Sequence, residues 1–109
     1  MAKNITFTYE GKDYNLEFSR KSIQRMEDAG FSLDTALDKP ITLTRSLFAG
    51  SFLKNHKFVK NQVVDEIFKL MPNKEMLLEK LIEMYHDTLE SLYDEPEDSE
   101  KNVQWGANW

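Results

Sequence analysis

The sequence predicts an α+β fold in which an N-terminal antiparallel β-hairpin packs against a bundle of about four α-helices. Three observations lead to this prediction. Apolar and polar side chains alternate with a period of two over residues 4–18, a pattern typical of strands with one face in water. Apolar residues then recur at helical spacing as far as residue 93. A chain of 109 residues, 40% hydrophobic and 30% charged, is long enough for one hydrophobic core.

The hairpin is predicted from two alternating segments on either side of a glycine. Each segment places three apolar side chains on one face: Ile5, Phe7 and Tyr9 in the first, and Tyr14, Leu16 and Phe18 in the second. Gly11 can supply the positive φ of a tight turn. With Gly11-Lys12 as the two-residue loop, the facing pairs would be Tyr9–Tyr14, Phe7–Leu16 and Ile5–Phe18. An isolated hairpin is marginal in water, so helices should cover its apolar face.

The first helix is predicted over about residues 20–29. Ser19 is a favourable N-cap, and Gly30 stands where a left-handed C-terminal residue is needed. The side chains expected to face inward are Ile23, Met26 and Ala29. Residues 31–41 are less regular, with one helical turn expected over residues 34–37.

The next helix is expected to begin after a break at Lys39-Pro40. Thr42 or Thr44 would cap it, and it would run to about Asn55. Gly50 lies inside it, where glycine costs up to about 1 kcal/mol relative to alanine. A close contact with another helix at Gly50 would explain why a glycine stands there.

Two further helices complete the predicted bundle. One spans about residues 62–71 and ends at Pro72. Asn73 then caps the longest helix, over about residues 74–93. Its apolar positions are Leu77, Leu78, Leu81, Ile82, Tyr85, Leu89, Leu92 and Tyr93, and its polar face is acidic, with Glu75, Glu79, Glu83, Asp87 and Glu90.

A tail of different composition follows the single domain predicted over residues 1–94. Residues 94–100 hold five carboxylates and no apolar side chain, so we expect residues 95–109 to be flexible and disordered. Val103 and both tryptophans of the chain, Trp105 and Trp109, follow this acidic segment. Because tryptophan is a preferred anchor at interfaces, one interpretation is an aromatic motif presented to a partner. The other is that the tail folds back onto the domain's own core.

The net charge of −5 is unevenly distributed along the chain. Residues 1–60 carry ten basic and seven acidic side chains, a balance of +3, whereas residues 61–109 carry four and twelve, a balance of −8. This polarity can favour self-association into a homo-oligomer. A globally acidic chain is repelled by phosphate backbones, which argues against a nucleic-acid partner.

The chain is expected to stay in the cytoplasm. No apolar run approaches the roughly 20 residues of a membrane span, and the N-terminus has no apolar region of a signal peptide. We therefore expect no membrane association. The absence of cysteine fits a reducing compartment.

The sequence offers little chemistry for catalysis. The only histidines are His56 and His86, and neither stands in a context that would activate a nucleophile. A metal site could be imagined from His86 with Glu83 and Glu90, which share a helix face, but this spacing arises in any acidic helix. We predict a protein that is not an enzyme and that has no cofactor and no metal.

The one basic cluster lies between two predicted helices. It comprises Lys54, Lys57, Phe58 and Lys60. With three lysines and no arginine it is a weak candidate for binding nucleic acid. It could instead contact the acidic tail or acidic helix face of a neighbouring copy, or it could be an ordinary polar loop.

Four segments carry a resemblance to one protein family: Ile5–Ser22, Leu47–Phe52, His56–Lys60 and Trp105–Trp109. Together they resemble small tail-assembly chaperones of long-tailed phages and prophages, over nearly the whole chain. The resemblance implies a protein that binds the tape-measure protein, helps to recruit tail-tube protein and is absent from the mature virion. It also implies the host bacterial cytoplasm as its location. The alternative is a small phage-encoded regulatory or inhibitory adaptor that acts on a host or phage protein.

Overall fold

A computed structural model describes residues 3–91 and 105–109 of the chain. Within this part, two strands precede five helices. The strands are β1, Ile5–Tyr9, and β2, Lys12–Leu16; the helices are α1, Arg20–Asp28, α2, Leu33–Ala36, α3, Pro40–Gly50, α4, Asn61–Leu70, and α5, Lys74–Glu90. The strands form an antiparallel hairpin. The predicted α+β class is confirmed, with four longer helices and the single turn of α2.

The register of the hairpin differs from the prediction by two residues. The facing pairs are Ile5–Leu16, Phe7–Tyr14 and Tyr9–Lys12. The predicted pairing was wrong because the two-residue loop is Glu10-Gly11, whose φ values of 49° and 77° are both positive, as a type I′ turn requires. A shift of two residues leaves every side chain on its predicted face, so Tyr14 and Leu16 are still buried.

Helix α1 begins where the sequence predicts. The Ser19 hydroxyl accepts a hydrogen bond from the Ser22 N–H at 3.0 Å, and the Ser22 hydroxyl accepts one from the Ser19 N–H at 2.8 Å. This reciprocal capping satisfies two donors at the start of the helix. At the other end Gly30 has a φ of 98°, as expected. Ala29 is exposed rather than buried, because the helix ends one residue earlier than predicted.

Helix α3 is displaced toward the N-terminus from its predicted position. It begins at Pro40, which occupies the first helical position, and it ends at Gly50 rather than Asn55. The fixed φ of proline suits the first turn of a helix, so the residue predicted to break the chain starts the helix instead. The Thr44 hydroxyl donates to the carbonyl of Pro40 at 2.7 Å and therefore does not serve as a cap.

One hydrophobic core joins the hairpin to the helices. The buried side chains of β2 belong to the same apolar cluster as those of α1, α3, α4 and α5, and α3 lies against α5. Asn73 caps α5 as predicted by accepting a hydrogen bond from the Met76 N–H. The buried apolar side chains are Tyr14, Leu16, Phe18, Ile23, Met26, Ala36, Leu43, Leu47, Phe48, Phe52, Val64, Ile67, Leu77, Leu81, Met84 and Tyr85.

Gly50 of α3 lies in close contact with α1, as the sequence predicts. A Cβ atom at this position would lie 2.4 Å from the Sδ atom of Met26 and 2.6 Å from its Cε atom. Such distances are far shorter than van der Waals contact. The missing side chain of Gly50 therefore provides the space in which the Met26 side chain packs.

We expect Gly50→Ala to lower the free energy of unfolding by about 1 kcal/mol. Overpacking costs roughly 1–3 kcal/mol, and the better helix propensity of alanine returns up to about 1 kcal/mol. Urea unfolding followed by circular dichroism measures the change. Met26→Ala is the matched background because it removes the atoms that the new Cβ would meet, so Gly50→Ala should then be neutral or stabilising. An equal loss in both backgrounds would contradict this assignment.

Candidate functional site

The segment between α3 and α4, residues 51–60, lies along the edge of β2 that faces away from β1. The Glu17 N–H donates to the carbonyl of Ser51 at 3.1 Å. The Asn55 side-chain amide donates to the carbonyl of Asn15 at 3.0 Å. These bonds give the outer edge of β2 hydrogen-bond partners and fix the course of the segment.

His56 is the third attachment of this segment. Its Nε2 atom accepts a hydrogen bond from the Asn15 N–H at 3.0 Å, which requires Nε2 to be unprotonated. The His56 ring also lies 5.0 Å from the ring of Tyr14, centroid to centroid. Burial, and secondarily the charge of Lys12, lower the pKa of His56. The neutral imidazole therefore acts here as a structural hydrogen-bond acceptor.

An open groove of about 880 Å³ lies between residues 51–60, β2, α1 and the start of α4. We call it the basic groove. Among the residues that the structure describes, its lining includes no carboxylate and six cationic side chains: Lys12, Lys21, Arg25, Lys54, Lys57 and Lys60. Within the described residues, Lys54 is the one of these six that forms a salt bridge, at 2.6 Å to Glu17. The groove therefore concentrates positive charge on a chain whose net charge is negative.

The basic groove also offers apolar contact. Phe58 lines it with 88% of its surface exposed, and the Lys57 Nζ atom lies 5.1 Å from the centre of its ring. Leu53, Val59 and Val63 add partly buried aliphatic surface. A segment with acidic and apolar side chains would find complementary groups here, because exposed aromatic and cationic side chains are common anchors of protein interfaces.

A second depression continues the basic surface. It has a volume of about 570 Å³, lies between α1, α2 and α3, and shares Arg25 and Leu53 with the basic groove. Lys39 and Arg45 add further positive charge, and none of the described residues that line this depression is an aspartate or glutamate. Arg45 is paired with Asp65 at 2.5 Å, so the basic groove remains the more strongly charged of the two.

The structure brings four of the predicted site residues together. Lys54, Lys57, Phe58 and Lys60 all line the basic groove. Sequence reasoning missed Lys12, Lys21 and Arg25, which reach the same groove from β2 and α1. Their spacing along the chain carries no local signal, because only the fold brings β2 and α1 beside residues 51–60.

The predicted aromatic tail is only partly described. Trp105 and Trp109 are both exposed, Trp105 by 85% and Trp109 completely. They do not pack on the core, so the structure does not support the fold-back interpretation for these two side chains. Val103 and the acidic residues 94–100 lie outside the described residues.

The second histidine gives no sign of a reactive site. His86 is exposed on α5, and in residues 3–91 and 105–109 no three histidine, cysteine, aspartate or glutamate side chains are close enough together to hold a metal ion. No helix in the described part of the chain has both the length and the hydropathy to cross a bilayer.

Comparison with known proteins gives one match. The model of a family described as a domain of unknown function, DUF5055, matches residues 1–109. Searches of curated proteins and of solved structures found no match. The basic groove is therefore the principal structural basis for a functional hypothesis.

Proposed function

We propose that this chain, which belongs to the DUF5055 family, is a tail-assembly chaperone of a long-tailed phage. It would bind the tape-measure protein, and also tail-tube protein, in the host bacterial cytoplasm without catalysing a reaction. The two proposed clients, the tape-measure protein and the tail-tube protein, are those that the sequence resemblance implies. The structural observation that supports a binding role is the open basic groove, which in the described part of the chain has six cations, no carboxylate and the exposed ring of Phe58.

The groove suits a client that must be held and later released. Lysine side chains at an open rim mainly increase the rate of association and contribute little to the affinity of each contact. Phe58 would add an apolar contact that a helical client segment can meet with one face. Contacts of this kind exchange readily, because the groove is open to solvent.

Many weak contacts along a long client would together give a high overall affinity. Several copies could bind next to one another along a long client, and each would then gain from a high effective concentration. The net charge of −5 would keep the coated client dispersed, because like-charged particles repel one another.

A regulatory or inhibitory adaptor is the second candidate. The exposure of Trp105 and Trp109, after the acidic residues 94–100, favours it because an acidic and aromatic segment could occupy a basic site on another protein. Gene position separates the two candidates. A place just upstream of a very long coiled-coil gene supports the chaperone, and a place among early regulatory genes supports the adaptor.

Co-purification with the tape-measure protein tests the chaperone proposal. We expect the tagged chain to retain the tape-measure protein. We expect Trp105→Ala/Trp109→Ala to lower its affinity by at least about 30-fold, which is the effect of losing about 2 kcal/mol from one buried anchor tryptophan. The matched control is Leu37→Ala/Ile41→Ala, which removes two other exposed apolar side chains and should leave retention unchanged.

The two failures have different meanings. Retention that the tryptophan variant leaves unchanged would remove Trp105 and Trp109 from the mechanism. Failure of the unmodified chain to retain either the tape-measure protein or the tail-tube protein would overturn the chaperone proposal itself.

A further inference from the structure

The basic groove and the second depression meet along α1, and together we call them the α1 trough. Arg25 and Leu53 line both of them. Lys21 lines the groove and Ala29 lines the depression, and these two residues are separated by about 12 Å along the helix axis. A single helical segment of a partner, about eight residues long, would therefore reach from one to the other.

The α1 trough is positively charged in both of its parts. The depression adds Lys39 and Arg45 to the six cations of the groove. Among the described residues that line the trough there is no aspartate or glutamate. Within residues 3–91 and 105–109, Lys54 and Arg45 are the two of these cations that form salt bridges. An acidic ligand would complement the charges of the others.

The second depression has an apolar floor. Met26 and Gly50 are buried there, and Ala49 is half-buried. The Met26 side chain packs in the space that Gly50 provides. Because a methionine side chain is unbranched and flexible, it adapts to neighbours of different shapes. The depression can therefore accept an apolar side chain, and Phe58 offers a second apolar contact in the groove.

A helical segment fits the trough better than an extended one. Lys21 and Arg25 both line it and lie four positions apart on α1, about 6 Å along the axis. Carboxylates four positions apart on a second helix have the same spacing, so two such helices can pair more than one charge at once. An extended segment binds chiefly by adding a strand to a free sheet edge, and residues 51–60 already cover the edge of β2 at the groove.

We infer that the α1 trough binds an acidic amphipathic helix of the client across both of its parts. The apolar side chains of this helix contact Phe58 in the groove and the floor around Met26 in the depression. Its carboxylates pair with Lys21, Arg25 and Lys39. The inference rests on the proposed binding role and names the kind of segment that this role requires.

Two other occupants are less well matched to the trough. A nucleic acid would have to approach a chain of net charge −5. It would also gain little from stacking, because Phe58 is the one well-exposed aromatic ring among the described residues of the trough. The acidic helix α5 of a second copy has part of its charge compensated, since Lys3 pairs with Glu83 at 2.7 Å and with Asp87 at 2.9 Å.

Fluorescence anisotropy with a synthetic peptide and the full chain tests the inference. The probe is a helix of about 16 residues, about 24 Å long, with leucines on one face and glutamates four positions apart beside them. Lys39→Glu should weaken its binding at least about 3-fold, because a cation of the depression becomes an anion. Lys69→Glu makes the same charge change outside the trough and should leave the affinity unchanged. Equal affinities for Lys39→Glu and the unmodified chain would overturn the inference.

Nuclear magnetic resonance of the ¹⁵N-labelled chain locates the bound peptide. We expect the amide signals of Gly30 and Thr42 in the depression to shift together with those of Lys57 and Phe58 in the groove. The signal of Leu70, which does not line the trough, should stay in place. Shifts confined to the groove would show that the depression is not part of the site and would overturn the inference.

Further samples separate the possible occupants. Replacing the glutamates of the peptide by glutamines, or its leucines by alanines, should weaken binding at least about 10-fold. Oligothymidylate of about 15 nucleotides should bind more weakly than the peptide, and equal or tighter binding would assign the trough to nucleic acid and overturn the inference. A dimer of the peptide-free chain that Lys39→Glu dissociates, measured by sedimentation, would assign it to a second copy and also overturn it.

Failure of this inference and failure of the chaperone proposal are distinguishable. The peptide contains no phage sequence, so its binding does not depend on whether the tape-measure protein is a client. Retention of the tape-measure protein without binding of the peptide would overturn only the inference. Binding of the peptide across both parts of the trough, without retention of either tail protein, would overturn only the chaperone proposal.

Discussion

Phe48→Ala is expected to lower the free energy of unfolding by about 3–5 kcal/mol. Phe48 is completely buried. Its ring packs at 5.2 Å against Phe52 and at 5.3 Å against Phe68, centroid to centroid. Removing the ring therefore creates a cavity where α3, the segment after it and α4 meet. A loss of this size is a large part of the roughly 5–15 kcal/mol that stabilises a typical domain.

Phe58→Ala is the matched control for this prediction. The same side chain is removed at a position that is 88% exposed, so the free energy of unfolding should change by no more than about 0.5 kcal/mol. Urea unfolding should be followed by circular dichroism, because both tryptophans are exposed outside the core and their fluorescence would report poorly on folding. Equal losses for the two variants would show that the core does not contain Phe48 as described.

Lys57→Glu/Lys60→Glu is expected to weaken client binding by at least about 10-fold. Two of the six groove cations become anions, so the variant both loses attraction and repels an acidic segment. Titration calorimetry with a tape-measure fragment, at low and at moderate salt, measures the affinity. The unmodified chain should lose affinity as salt rises, and the variant should respond less, because screening acts on the charges that it lacks.

Lys69→Glu/Lys80→Glu provides the control for net charge. It makes the same change in total charge, but neither Lys69 nor Lys80 lines the basic groove. We expect its affinity to stay close to that of the unmodified chain. If both double variants weakened binding equally, the effect would come from the overall charge of the protein, and the groove would not be the site.

The sequence was sufficient to predict the apolar face of the hairpin and the caps of two helices. The alternation of apolar and polar residues correctly predicted that Tyr14 and Leu16 lie on the buried face of β2. The N-caps at Ser19 and Asn73 were also predicted correctly, because a cap depends on residues only a few positions away. The register of the hairpin was not predictable in the same way. It depends on Glu10 adopting a positive φ, a conformation that is uncommon for residues other than glycine.

The candidate site was predictable only in part, for a related reason. Lys54, Lys57, Phe58 and Lys60 are close in sequence and could be recognised as a cluster. Lys12, Lys21 and Arg25 join them only because the hydrogen bonds of residues 51–60 to β2 bring separate elements together. Tertiary contacts of this kind leave no periodic pattern in a single sequence, so the clustering of these cations in one groove could not be predicted from it.

The attachment of residues 51–60 to β2 has a consequence for solubility. A strand edge with unpaired backbone groups is a template on which other chains can polymerise. By covering the outer edge of β2, this segment prevents other chains from pairing with that edge. The same segment exposes Phe58 to solvent. The coverage of this strand edge and the exposure of Phe58 thus depend on one stretch of backbone, and a change that detached it would be expected to promote aggregation.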